Sequence, residues 1–145
     1  MKNGLLMLTI VALLASCGNR DKSKNKSGET VTKTAILVDD YDNYRDNAST
    51  SIESIALDGN ILTISISYSG GCKDHEFSLV GSRMISKSLP PQRGIMLYHN
   101  NNGDSCRELK EEQLVFDIKA FEYKPKEEII LTLEGWEEKI SFTSK

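Results

Sequence analysis

Several catalytic signatures are missing from this chain. No Cys-x-x-Cys pair occurs, which removes the dithiol redox motif. No Gly-x-Ser-x-Gly elbow is present, and neither is a glycine-rich phosphate loop or a dinucleotide fingerprint. There is no basic excess. Eighteen Lys and Arg face 21 Asp and Glu, giving a formal charge of -3 and a pI near 5.4. A dominant nucleic-acid-binding role is therefore excluded, because phosphate binding needs a basic footprint. No apolar run is long enough for a lasting transmembrane helix. The run Gly4 to Leu14 has eleven residues, too few at about 1.5 Å each for a bilayer core of roughly 30 Å. No long 3.6-residue period is seen, so no helix is available for a βαβ crossover, and no internal repeat is visible.

What remains is ordinary for a folded domain. The chain has 145 residues, 39% hydrophobic and 27% charged, with a mean hydropathy of -0.36. That length fits one domain, and that composition excludes wholesale disorder.

The N-terminus carries an address. Lys2 precedes the apolar run, which has the length of a signal-peptide core. Leu14-Ala15-Ser16-Cys17 follows at once and resembles the bacterial lipobox. The resemblance implies cleavage after residue 16 and a lipid on the Cys17 thiol, the nucleophile of that modification. Residues 1–16 are thus expected to be a lipoprotein signal peptide. Residues 17–30 (CGNRDKSKNKSGET) are polar and are expected to be the lipidated Cys and a flexible tether. Gly18-Asn19 lacks the Asp that would retain a lipoprotein in the inner membrane, and no acidic cluster marks surface export. The expected location is the outer membrane, lipid-anchored and facing the periplasm.

Residues 31–145 read as an all-β domain. Ile52 to Leu57 and Ile61 to Tyr68 flank Asp58-Gly59-Asn60, a hairpin signature. Leu62, Ile64, Ile66 and Tyr68 alternate with Thr63, Ser65 and Ser67, the period of a half-buried strand. Further strands are expected at Ala35–Val38, around Phe77 and Leu79, at Ile95–His99, at Leu114–Phe121, at Ile129–Leu133 and from Trp136 to Phe142. Cys106–Gln113 (CRELKEEQ) is the one segment that reads as a helix. Seven or eight short strands in this pattern predict an antiparallel sandwich or a small barrel.

The remaining cysteines and the two histidines share two short segments, Gly70-Gly71-Cys72-Lys73-Asp74-His75-Glu76-Phe77 and Leu97-Tyr98-His99 through Asp104-Ser105-Cys106. Three chemistries suit them. Two cysteines left over in an exported chain pair as a disulfide, here Cys72–Cys106, and the histidines then act as loop or packing residues. Alternatively Cys72, His75, His99 and Cys106 form a tetrahedral zinc set; in a mixed version His75 and His99 join Asp74, Glu76 or Asp104. A Cys–His nucleophile is the third, and it lacks an orienting residue. The disulfide is the favoured reading, with no catalytic residue and no cofactor.

Gly-Gly-Cys-x-x-His-x-Phe, followed by His99 and Asp104-Ser105-Cys106, resembles a group of small Bacteroidetes lipoproteins. The β-rich arrangement from Ile52 to Phe142 is also similar to the NigD-like lipoproteins. The resemblance implies a location and a fold rather than a reaction. The expected function is a non-catalytic binding module in the cell envelope. Its membrane contact runs through the lipid, and its partner is an envelope protein or glycan.

Overall fold

A computed structural model describes residues 31–145. The expected signal peptide, Cys17 and the expected tether lie outside the described residues. The described residues form nine strands: β1 (Thr32–Thr34), β2 (Ile36–Val38), β3 (Ser51–Asp58), β4 (Ile61–Gly70), β5 (Glu76–Ser82), β6 (Gln92–Asn100), β7 (Glu108–Asp117), β8 (Ile129–Leu133) and β9 (Ile140–Phe142). They make two facing sheets, ordered β1-β7-β4-β3 and β2-β5-β6-β8-β9. The all-β class is as expected. The sheets stay open, so the fold is a sandwich and not a closed barrel.

The expected hairpin forms β3 and β4. Asp58 pairs with Ile61 across the turn, and Gly59 takes a φ of 59°, which a side chain would strain. Alternation holds along β4, where Leu62, Ile64 and Ile66 are buried in the core. They pack with Leu114 and Phe116 of β7 and, from the other sheet, with Phe77, Leu79, Ile95, Ile129 and Leu131. Burying each such side chain stabilises by about 1.5–3 kcal/mol.

Three sequence expectations need correction. First, the pairing is mixed. β1 runs parallel to β7, β2 to β5 and β6 to β8. A parallel pair needs a crossover, usually a helix. Here β7, in the opposite sheet, lies in the β6–β8 connection and does that work.

Second, the helix expected over Cys106–Gln113 is absent. Glu108–Gln113 is the first half of β7, registered against β4 from Gly70↔Glu108 to Ser65↔Gln113. The helix-favouring composition yields to ten consecutive pairings with a central strand, because strand preference is set by neighbours more than by the residue itself. Third, two ends shift. β7 stops at Asp117, and Lys119–Phe121 is a single 3-10 turn that drops Phe121 into the core. β9 begins only at Ile140, which leaves Trp136 in the preceding turn, its N–H donating to the Leu133 carbonyl at 3.1 Å.

The N-terminal strand is split at Ala35. β1 lies on the edge of one sheet and β2 on the edge of the other. Ala35 sits between them, 1% exposed, and its N–H donates to the Asp117 carbonyl at 2.9 Å. A methyl is small enough to pass between the layers, so one strand closes a side of both.

Gly81 and Phe121 show how tightly this edge is packed. A Cβ on Gly81 would lie 2.5 Å from Cε1 and 2.9 Å from Cδ1 of the fully buried Phe121 ring. Gly81→Ala is expected to lower stability by about 1–3 kcal/mol, the usual cost of overpacking. Urea unfolding checks this; an unchanged midpoint would mean the ring moves freely.

Candidate functional site

The two segments singled out above meet at one end of the sandwich. β4 leaves its sheet through Gly70 and Gly71, passes Cys72 to His75, and enters the other sheet as β5. β6 leaves through Asn100, turns at Asn101–Asp104, and re-enters the first sheet as β7 after Cys106. Both loops therefore cross between layers at the same end. Asn102 and Gly103, with φ of 50° and 67°, make the second turn tight.

Cys72 and Cys106 are disulfide-bonded, with Cα atoms 5.8 Å apart at a sequence separation of 34. The bond ties one crossing to the other. Asp104 ties them again. Its Oδ1 accepts the Cys106 N–H at 2.8 Å, and its Oδ2 accepts the N–H groups of Cys72 and Lys73 at 2.9 and 3.0 Å. The Asp104 side chain is wholly buried. These donors, Cys106 first, outweigh the cost of burial and hold its carboxyl well below the usual carboxylate range.

A chain of polar side chains runs inward from Asp104. His75 Nε2 lies 3.2 Å from Oδ2, His75 Nδ1 lies 2.7 Å from His99 Nε2, and His99 Nδ1 lies 2.7 Å from Thr50 Oγ1. A carboxylate only accepts, so His75 Nε2–H donates to Asp104, and the directions of the two inner bonds follow the tautomers of the rings. Every ring nitrogen has a partner within hydrogen-bond distance. His99 is 1% exposed, and burial, then the neighbouring His75, push its pKa below the ordinary 6.5. Phe77 stacks on His99 at 4.4 Å, and Tyr68 leans on His75 at 4.8 Å. Gly70 makes room, since a Cβ there would lie 2.8 Å from the His75 ring.

These positions overturn the zinc alternative. The Cys72–Cys106 bond consumes both thiolates, and the facing nitrogens of His75 and His99 are bonded to each other. In the mixed set, Asp104 accepts four N–H groups and Glu76 accepts from Asn100 at 3.5 Å. The expectation that the histidines are plain packing residues is also corrected, because they are the middle links of a buried polar chain.

Two participants were not legible beforehand. Thr50 lies 49 residues from His99 and belongs to no motif. Gly70 is visible as half of a Gly-Gly pair, but nothing in the sequence says what approaches it. The capping role of Asp104 does leave a trace, since Asp two residues before an N–H acceptor-seeker is the Asx-turn pattern.

Above this cluster lies a groove of about 610 Å³. Ala48 and Ser49, Ser67 to Ser69 of β4, and Asn101, Ser105, Arg107 and Leu109 line it, with His99 and Asp104 of the cluster among them. The Ala48–Ser49 part is pinned by the Ala48 N–H, which donates to the His99 carbonyl at 2.9 Å, and by Thr50. The lining offers hydroxyls, an amide and one guanidinium.

Three solved structures share the fold. A NigD-like immunity protein from Bacteroides caccae is 19% identical, with a TM-score of 0.56 over 79% of this chain and 64% of that one. A toxin-related protein from Parabacteroides distasonis is 15% identical, with a TM-score of 0.57 over 79% and 62%. A protein of unknown function, DUF1344, from Bacteroides vulgatus is 19% identical, with a TM-score of 0.52 over 80% and 59%. The chain therefore spans about three fifths of the length of each. No protein-family model and no curated protein matches it.

Two outcomes follow from this geometry. Cys72→Ser and Cys106→Ser are each expected to cost roughly 4 kcal/mol, the loop-entropy value for a bridge of this span, and the double variant no more than either. Denaturant titration of the three proteins checks it; unequal single variants would mean a thiol has a second role. Stability is also expected to fall on acidification. His99 has a lowered folded pKa, so its contribution is full above the ordinary 6.5 and is lost as pH falls through that value toward the folded one. Asp104 acts in the same direction below its ordinary 3.8. Thermal melts from pH 8 to about pH 2 should show the His99 loss and then the onset of the Asp104 loss, and the upper one should vanish in His99→Gln.

Proposed function

We propose that this protein is a non-catalytic binding module of the cell envelope, anchored through Cys17 to the outer membrane and facing the periplasm. One observation carries the reading. The ionisable groups at the groove, Asp104 and His99, and His75 behind them are hydrogen-bonded to one another and to the loops, so they act first as supports of its walls. The bridge and the Asp104 cap make both crossing loops rigid, which reduces the ordering cost of binding. Serine hydroxyls, Asn101 and Arg107 then recognise a polar surface. The partner proposed is a protein, by analogy with the immunity and toxin-related proteins that share the fold.

Photocrosslinking in intact envelopes tests this. A crosslinking residue at Ser67 or Ser105, in the groove, should give the same discrete protein adduct; one at Ser141, on the other sheet, should not. Arg107→Glu should reduce the adduct several-fold. Detergent partitioning of wild type against Cys17→Ala reads the anchor separately. Turnover of a model ester that disappears in His99→Ala would refute the non-catalytic reading.

A further inference from the structure

The segment 46–50, which brings Ala48 and Ser49 to the groove, is a span between two fixed points. Arg45, just before it, is paired with Glu134 at 2.9 Å, and β3 begins just after it at Ser51. Asn47 bonds only to the turn it follows, at Arg45 and Tyr44. The other hydrogen bonds of the span go to one residue, His99. The Ala48 N–H donates to its carbonyl at 2.9 Å, and Thr50 Oγ1 lies 2.7 Å from its Nδ1.

The rest of the His99 ring is enclosed. Phe77 stacks on it at 4.4 Å, Tyr68 meets it edge-on at 5.2 Å, and His75 Nδ1 lies 2.7 Å from its Nε2. A gap of that width holds one proton, whichever ring supplies it. One added proton fits without movement. With His75 as an imidazolium, its two N–H groups point to Asp104 and to His99. With both rings charged, two N–H groups face each other across the gap, and one ring has to leave. His75 is kept by the Asp104 carboxylate at 3.2 Å. His99 is therefore the ring that moves. Phe77 and Tyr68 block its inner side, so it turns towards the groove it lines, where it holds Thr50.

The charges around the ring set the direction. His75 opposes a charge on His99, and so does Arg107, which also lines the groove. Glu112 of β7, which accepts from the Tyr68 hydroxyl at 3.1 Å, favours it. Asp104 is engaged by His75 and by three backbone N–H groups. Ala48, Ser49 and Thr50 bring no charge, and Asp46 is exposed. Burial and His75 prevail, so His99 is neutral above the ordinary 6.5 and charges only below it. An arrangement that disfavours the charged ring is, by linkage, opened by charging it.

We propose that His99 is an acid-released latch on the groove: when both imidazoles carry a proton, its ring gives up His75, displaces Thr50, and frees the span 46–50. What the latch regulates, the hold on a partner, rests on the binding reading of the groove. The movement itself does not.

Distance measurements in the full chain test it without a partner. Nitroxides on ketone-bearing residues at positions 49 and 109, both exposed and both at the groove, leave the Cys72–Cys106 bond untouched. The expected result is one short distance at pH 7.5 and a longer, broader distribution at pH 4.5. Exchange of the Ala48 amide, corrected for its intrinsic pH dependence, should quicken about tenfold over the same interval. His75→Gln removes the opposing charge, and its side-chain oxygen accepts from a charged His99, so the span should stay closed at pH 4.5. Ring-nitrogen NMR of the wild type reads the protonation directly. An unchanged distance with both rings charged overturns the proposal, and so does a His99 ring still neutral at pH 4.5. Opening as large in His75→Gln overturns it too, because another group then moves the span. A distance change that comes with loss of the far-UV strand signal is unfolding, and also overturns it. Acid opening without any partner adduct strikes the binding reading alone; an adduct on a span that never opens strikes the latch alone.

Discussion

The carboxylate of Asp104 is the constraint on which the working end of this protein depends. It accepts backbone N–H groups from both loops that cross between the sheets, and it fixes the proton on His75. Without this side chain the N–H groups of Cys72, Lys73 and Cys106 and the ring N–H of His75 lose a shared acceptor, so one side chain holds together what two loops would otherwise leave apart. The disulfide beside it acts on the unfolded chain; Asp104 acts on the folded one. The histidines carry that order inward to Thr50 and so to the wall of the groove.

A second economy of construction lies at the N-terminal strand. A sandwich of two open sheets exposes edges that invite pairing with other chains. Here one short strand, bent at Ala35, covers an edge of each sheet in turn. That is possible because the residue at the bend is an alanine whose N–H still finds a carbonyl, on Asp117. Parallel pairing at both edges follows directly, since the strand continues in one direction while its partners β7 and β5 belong to different layers.

The two ends of the domain divide the labour. One is polar, cross-linked and grooved, with its ionisable groups engaged internally. The other exposes Met84 and Leu89 on the loop between β5 and β6.

The sequence alone determined the class of fold, because period-two alternation in β4 and the Asp58-Gly59 turn are local properties that survive any arrangement of the rest. It favoured a bridge between Cys72 and Cys106 over the other chemistries of the four residues, and the fold brings the two together. It also drew the four chemistry-bearing residues into two short segments. It did not decide the strand at Glu108–Gln113, whose helix-like composition is overruled by pairing with the distant segment Ser65 to Gly70 of β4. Neither could it decide what the histidines do. Whether His75 and His99 bind a metal, pack, or bond each other depends on Thr50, Gly70 and Asp104. Only the folding of two sheets brings those residues within about 3 Å of the rings, and hydrogen bonds of that length leave no trace in the order of the residues that make them.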